Sequence, residues 1–265
     1  MSGDEMFIFI GSFVLTLMSL YTWYNTVLVR WPEDRGRFSR RVLMYLPVAA
    51  FIINFFTLKV LAAYDVVDSP PYIALYIFLG YAWLFGGMKL FFLFLDISWM
   101  DDTLNLDNKA ALLPVTAGYL GLTIIYAAAN TGDGPGWWCV VVSAGIGVAA
   151  WLILAAFVSR LTNISERITI ERDVSAGIHF GLYLLASSLI LGKASSGDWT
   201  SFQMTIYEFS RGIPVIPLSL LIILLELLYR SRRRNILGKR QLLLYSTASG
   251  MIYVVIGIVC MILIP

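Results

Sequence analysis

Four ionisable residues lie within or at the ends of long apolar stretches of the chain: Lys89, Asp96, His179 and Glu226. A charged side chain in hydrocarbon is costly, so such residues normally face a protein interior or water and mark ion or proton paths. Lys89 falls about six residues before the end of its run, His179 about five after the start of its run, and Glu226 about three before the end of its run, so at roughly 1.5 Å per residue all three sit within about 5 to 10 Å of one boundary. Lys89 and Asp96 are two helical turns apart and share a face. Together the four residues predict a polar cavity opening to one side of the membrane. Depth argues for a carboxylate partner for Lys89, either Asp96 or Glu226, with His179 as a proton-responsive neighbour. A plainer reading competes: Lys89 snorkels to the interface, Glu226 pairs with Arg230 one turn on, and His179 is a hydrogen-bonded core group. Lys59, near Tyr64 and Asp65, reads as snorkelling.

The elements that must hold these groups are apolar helices. Hydrophobic residues make up 59% of the 265 residues, charged residues only 14%, and the mean hydropathy is +0.78, which is the balance of an integral membrane protein. About 20 apolar residues cross a bilayer as a helix. Eight runs qualify: residues 7–28, 42–63, 72–95, 110–129, 137–158, 174–191, 213–229 and 242–264. In hydrocarbon each backbone amide must be bonded within its segment, and these runs are too long and uniformly apolar for barrel strands. The fold class is all-α, a polytopic membrane protein with eight transmembrane helices.

The runs repeat in pairs. Laying Arg41 onto Asn108 brings Leu46-Pro47-Val48 onto Leu113-Pro114-Val115, Asn108-Lys-Ala-Ala falls on Asp173-Val-Ser-Ala, and Ala117-Gly118 falls on Ser249-Gly250. The period is roughly 66 residues, giving four tandem two-helix hairpins over residues 1–68, 69–134, 135–200 and 201–265 of one transmembrane domain. An even number of helices per unit makes the repeats parallel, and they are expected around a pseudosymmetry axis along the membrane normal. Small residues in the even helices, among them Gly118, Gly121, Gly177, Gly181 and Gly250, predict close helix packing.

Basic residues concentrate in alternate loops: Arg30, Arg35, Arg37, Arg40 and Arg41; Lys109; Arg160, Arg167 and Arg172; then Arg230, Arg232, Arg233, Arg234, Lys239 and Arg240. The opposite side carries Lys193 and Arg211. By the positive-inside rule these loops are cytoplasmic and both termini lie outside. No basic flank precedes Phe7 and no small-residue cleavage site follows, so the first helix is expected to be retained. The net charge of +2 reflects these loops, and nucleic acid is not an expected partner. The cytoplasmic loop from Asp96 to Lys109 departs from its sisters with Asp101, Asp102 and Asp107. It lacks the glycine and terminal Glu of a calcium loop, so pairing with Arg37 to Arg41 or Arg230 to Arg234 is expected. The segment from Lys193 to Arg211, with Trp199, Phe202, Tyr207 and Phe209, reads as interfacial, with a re-entrant element as the sharper alternative.

Several chemistries lack their residues. Cys139 and Cys260 are far apart in sequence and are expected to be free thiols; no Cys and His spacing builds a zinc or iron–sulfur site. One histidine, His179, argues against a multi-haem carrier. The last two helices carry no lysine for a retinal Schiff base, and no phosphate loop, nucleophile elbow or metalloprotease motif appears. No cofactor, metal or enzymatic activity is expected.

Asn105-Leu-Asp-Asn-Lys-Ala-Ala ahead of Ala117-Gly-Tyr-Leu-Gly-Leu, and Ser165-Glu-Arg-Ile followed by Asp173-Val-Ser-Ala-Gly-Ile-His-Phe-Gly, resemble the YjfL-type bacterial inner-membrane family, a domain of unknown function built from tandem two-helix repeats. The likeness covers roughly residues 75–200 and implies a bacterial inner-membrane protein. Repeat 3 has Asp173-Val-Ser-Ala where the family usually has an Asn-led step, and repeats 1 and 4 have basic residues there, which sets them apart as degenerate or unrelated. The functional expectation is a membrane transport or channel component with a cytoplasm-facing polar cavity. The alternative is a structural or regulatory subunit that anchors protein partners through its basic loops. The lipid bilayer is the one necessary partner, and a homo-oligomer is compatible with either role.

Overall fold

The computed structural model describes residues 1–29, 38–233 and 238–264, with the side chains of Val29, residues 230–233 and Lys239 left out. Arg30, Arg35, Arg37 and Arg234 therefore lie outside the described residues, as do the side chains of Arg230, Arg232, Arg233 and Lys239. The described chain is helical throughout, with no strand among the described residues and an isolated bridge between Ala62 and Gly132. In order the helices are α1 (Gly3–Tyr24), extended by a wide turn at Asn25–Val29, α2 (Phe38–Val60), the short α3 (Tyr64–Val67), α4 (Pro70–Leu95), α5 (Lys109–Ala129), α6 (Trp137–Thr162), α7 (Ile164–Thr169), α8 (Val174–Ala194), α9 (Phe202–Phe209), α10 (Val215–Arg233) and α11 (Lys239–Leu263).

Eight stretches are long and apolar enough to cross a membrane, and they fall on the eight runs read from the sequence: Gly3–Leu28, Phe38–Val60, Pro70–Leu95, Lys109–Ala129, Trp137–Thr162, Val174–Ala194, Phe202–Tyr229 and Arg240–Leu263. The seventh begins earlier than the sequence indicated, because α9 continues through a tight turn at Ser210–Gly212 into α10. α9 leaves Phe202, Met204, Ile206 and Tyr207 exposed, as an amphipathic entry to a membrane helix does.

The spans do not close around an axis. The extensive contacts run from α2 to α5, from α5 to α8 and from α8 to α11, and no comparable contact joins α2 to α11. The even spans thus form an open row, flanked by a second row in which α1 meets α4, α4 meets α6 and α6 meets α10. α5 and α8 sit at the centre and are buried along most of their length, whereas the first span is mostly exposed.

Small side chains explain this closeness, since dispersion between backbones replaces the hydrophobic effect inside a bilayer. A Cβ on Gly177 of α8 would overlap the carbonyl oxygen of Ala110 on α5. That carbonyl is free because Pro114, four residues on, has no N–H to give it. On the other side of α8, a Cβ on Gly257 of α11 would come within 2.9 Å of the Ala186 carbonyl oxygen. The matching proline in α2, Pro47, frees the Leu43 carbonyl, and there the indole of Trp23 donates to it at 3.0 Å.

Candidate functional site

The site begins at the turn between α6 and α8. α6 stops at Asn163, whose left-handed backbone (φ 52°) breaks the ladder, and α7 follows as little more than one turn. Arg172 is left-handed again (φ 52°) and hands over to Asp173, the N-cap of α8. One Asp173 oxygen accepts from the Ser175 amide at 3.1 Å and the Ser175 hydroxyl at 2.6 Å, satisfying helix-start donors. The other accepts from Arg167 Nη2 at 2.7 Å. Asp173 so braces Arg167, whose Nη1 donates to Glu226 Oε2 on α10.

Glu226 is 2% exposed, and its second oxygen, Oε1, lies 2.5 Å from His179 Nδ1 on α8. His179 is fully buried, and its Nε2 lies 2.6 Å from the hydroxyl of Tyr253 on α11. The rings of Tyr229 and Tyr253 pack around the imidazole at centroid distances of 5.3 and 5.2 Å. Tyr229 donates to Ser249 Oγ at 3.2 Å, and Ser249 lies one turn before Tyr253, beside both phenols. A phenol donating to Nε2 leaves the neutral imidazole with its proton on Nδ1, donated to Glu226. Burial alone would lower the Arg167 pKa; Glu226 and Asp173 beside it outweigh that and hold the guanidinium above its ordinary value. Its Nε is buried with no hydrogen-bond partner among the described residues.

The polar line continues down α8. Tyr183, four residues after His179, meets Ser219 of α10 at 2.8 Å, and Ser187, four further on, accepts from Trp151 Nε1 at 3.0 Å. Toward the loops, Asp173 and Ser175 line a depression of about 560 Å³ together with Glu171, Arg172 and Arg240. Among the described residues no group of three or more His, Cys, Asp or Glu is placed to hold a metal.

Of the four residues singled out in the sequence, His179 and Glu226 are brought together. Lys89 and Asp96 are not. Lys89 is exposed on α4 with its ammonium 4.0 Å from the centre of the Phe85 ring, and Asp96 is the exposed C-cap of α4 at φ 54°. The carboxylate partner expected for Lys89 is absent among the described residues: Asp96 caps α4 without an ion pair, and Glu226 is occupied by Arg167 and His179. Most of the basic residues expected to pair with the acidic loop, Arg37, Arg234 and the side chains of Arg230, Arg232 and Arg233, lie outside the described residues. Asp101 and Asp102 serve their own turn, the first accepting from Ser98 Oγ at 3.2 Å and the second from the Ser98 amide at 2.7 Å. Asp107 accepts from Ser39 at the start of α2 at 3.0 Å. Cys139 and Cys260 are free.

Arg167, Asp173 and Tyr253 were missed. In the sequence Arg167 reads as one more topology-setting charge and Asp173 as part of a polar turn, and nothing there singles out Tyr253. The spacing of Ser175, His179, Tyr183 and Ser187 at every fourth position is the signal that places them on one face of α8.

No curated protein and no solved structure matches the chain. The fourth hairpin, set apart in the sequence reading, lies inside the family match that was found, whereas the stretch from residue 75 to 133 lies outside it. Residues 134–264, which contain Arg167, Asp173, His179, Glu226 and Tyr253, match the model of a family described as Domain of Unknown Function (DUF350).

Proposed function

We propose that this protein is a membrane transport or channel component, not an enzyme, whose ion-handling site is the cluster Arg167, Glu226, His179 and Tyr253. The observation that carries the reading is Glu226: a carboxylate inside the seventh span, buried, with its two oxygens divided between a guanidinium from a loop and an imidazole from a neighbouring helix. Intramembrane carboxylate and histidine groups in contact are the equipment of proton relays. Proton uptake at His179 would turn Nε2 into a donor, so that Tyr253 must pass its own hydrogen toward Ser249. The loop-side depression at Asp173 would supply the aqueous access. The finer assignments go with this reading: four hairpins with boundaries near residues 68, 134 and 200, basic loops in the cytoplasm, both termini outside, and a YjfL-type protein of a bacterial inner membrane.

Reconstitution tests it. Vesicles carrying the purified chain and a trapped pH-sensitive dye should dissipate an imposed proton gradient faster than empty vesicles, and Glu226→Gln should return them to the empty-vesicle rate. Wild-type vesicles no faster than empty ones would overturn the transport reading.

A structural role is the second reading, and one observation favours it. Both nitrogens of His179 and both oxygens of Glu226 are satisfied by protein groups, as a pin between α8, α10 and α11 requires. Under that reading Glu226→Gln lowers the melting temperature and no flux exists to lose.

A further inference from the structure

At the other end of the row, between α1 and α4, lies a cavity of about 360 Å³ lined by apolar groups that include Trp23, Leu84, Met88, Phe92, Trp99 and Tyr119. Trp23 and Trp99 stack at 4.2 Å, and Tyr119 closes on Trp23 at 5.1 Å, so the inner wall is aromatic and rigid. The volume falls in the range of small-molecule sites, roughly 300 to 1,000 Å³. Its mouth carries Thr22, Lys89 and Phe92, all exposed on helices that are long and apolar enough to cross a bilayer. The cavity therefore opens sideways into lipid.

Two opposite charges sit on its rim. Lys89 has no carboxylate within ion-pair reach among the described residues and rests over the Phe85 ring. Asp101 is exposed, and its oxygens accept from Ser98 Oγ at 3.2 Å and Asn105 Nδ2 at 3.1 Å, which leaves acceptor capacity on both. Lys89 lies about six residues from the end of its helix, roughly 9 Å, which is the depth at which a lysine stem reaches lipid phosphates.

We propose that this cavity binds one glycerophospholipid with a zwitterionic headgroup ending in a primary ammonium: an acyl chain between α1 and α4, the phosphate on Lys89 and the ammonium on Asp101. Charge complementarity selects this occupant. The rim offers one cation and one anion, as the headgroup does with signs reversed, whereas a glycerol headgroup has the same phosphate for Lys89 but no cation to meet Asp101. The assignment uses residues of the first half of the chain and is independent of the cluster at Glu226.

Native mass spectrometry of the detergent-solubilised full chain tests it, titrating palmitoyl-oleoyl phosphatidylethanolamine or phosphatidylglycerol. One phosphatidylethanolamine should bind ahead of all further adducts, about fivefold more tightly than phosphatidylglycerol, since a single interfacial charge contributes about 1 kcal/mol. Lys89→Met should lose about that factor, Lys89→Arg should keep the affinity, and Asp101→Asn should abolish the headgroup preference. Thr22→Trp, at the exposed mouth, should block the first adduct while leaving the melting temperature unchanged. Equal binding of the two lipids by the wild type would overturn the proposal, as would a Lys89→Met or Thr22→Trp protein of wild-type melting temperature that binds phosphatidylethanolamine like the wild type.

Discussion

The turn that joins α4 to α5 and the turn that joins α6 to α8 are the same piece of backbone carrying different chemistry. In each, the incoming helix ends on a left-handed residue, Asp96 or Asn163 (φ 54° and 52°), and a second left-handed residue, Asp107 or Arg172, precedes the cap. The caps, Asn108 and Asp173, share one conformation and accept from the amide two residues on at 3.0 and 3.1 Å. Their own amides donate back to Asp102 and Arg167 at 2.9 Å in both cases. Asp102 and Arg167 thus hold the same place. The first is spent on its own turn; the second reaches another helix. Six residues past the cap stands buried Pro114 in one case and His179 in the other. The backbone frame thus tolerates either charge, and the two turns differ in whether a buried carboxylate from another span reaches the residue at that place. Glu226 supplies one in the second turn. In the first turn, Asn108 instead uses its side-chain amide to grip the Ile168 carbonyl at 2.7 Å, tying the plain turn to the charged one.

Breaking the charged turn should have the largest effect. Glu226→Leu leaves Arg167 and Asp173 at a buried site without their third partner, and cutting one member of a buried ion pair typically costs about 3 to 5 kcal/mol. Chemical unfolding in detergent should register that loss, and Arg167→Met combined with Glu226→Leu should recover part of it. Strictly additive losses would show that the two residues do not act as a pair.

Next is the seam that holds the two turns together. Gly177→Ala pushes a methyl into the Ala110 carbonyl and should cost about 1 to 3 kcal/mol, whereas Gly86→Ala, where nothing lies within 4 Å, should be close to neutral. Equal melting temperatures for the two variants would mean that α5 and α8 separate without penalty.

Tyr253→Phe removes the hydroxyl from His179 Nε2 and should cost about 1 kcal/mol. In the transport reading it should also shift the pH profile of proton flux, while a purely structural hydroxyl would change stability alone.

The smallest effect belongs to the plain turn. Burial holds the Asp102 carboxyl above its ordinary value, with Asp101 and Asp96 adding to the rise and the hydrogen bond from the Ser98 amide and the charge of Arg172 partly opposing it. A folded-state pKa above the unfolded one means that the fold disfavours the carboxylate. Wild-type stability therefore rises as pH falls through the window between the ordinary and the raised value. Asp102→Asn, neutral throughout, should be slightly more stable than wild type above that window, by less than about 1 kcal/mol given solvent screening, and should lose the advantage below it. A pH-independent difference would assign the effect to the amide's hydrogen bonds, not to charge.

Hydropathy, proline and small-residue spacing are local properties, so the sequence by itself determined the eight spans, the helical fold class and the glycines through which α8 packs. It also singled out His179 and Glu226, because a titratable group amid apolar neighbours stands out wherever it sits. Who pairs with whom was a tertiary decision. Glu226 meets His179 across 47 residues, Arg167 across 59, and Tyr253 reaches His179 across 74. Those meetings depend on how each helix is rotated about its axis, which glycine contacts between helices set and no single segment encodes. The same rotation sends Lys89, equally conspicuous in the sequence, outward to the lipid-facing rim, while Arg167, one basic residue among many in the loops, is drawn inward by a capping aspartate.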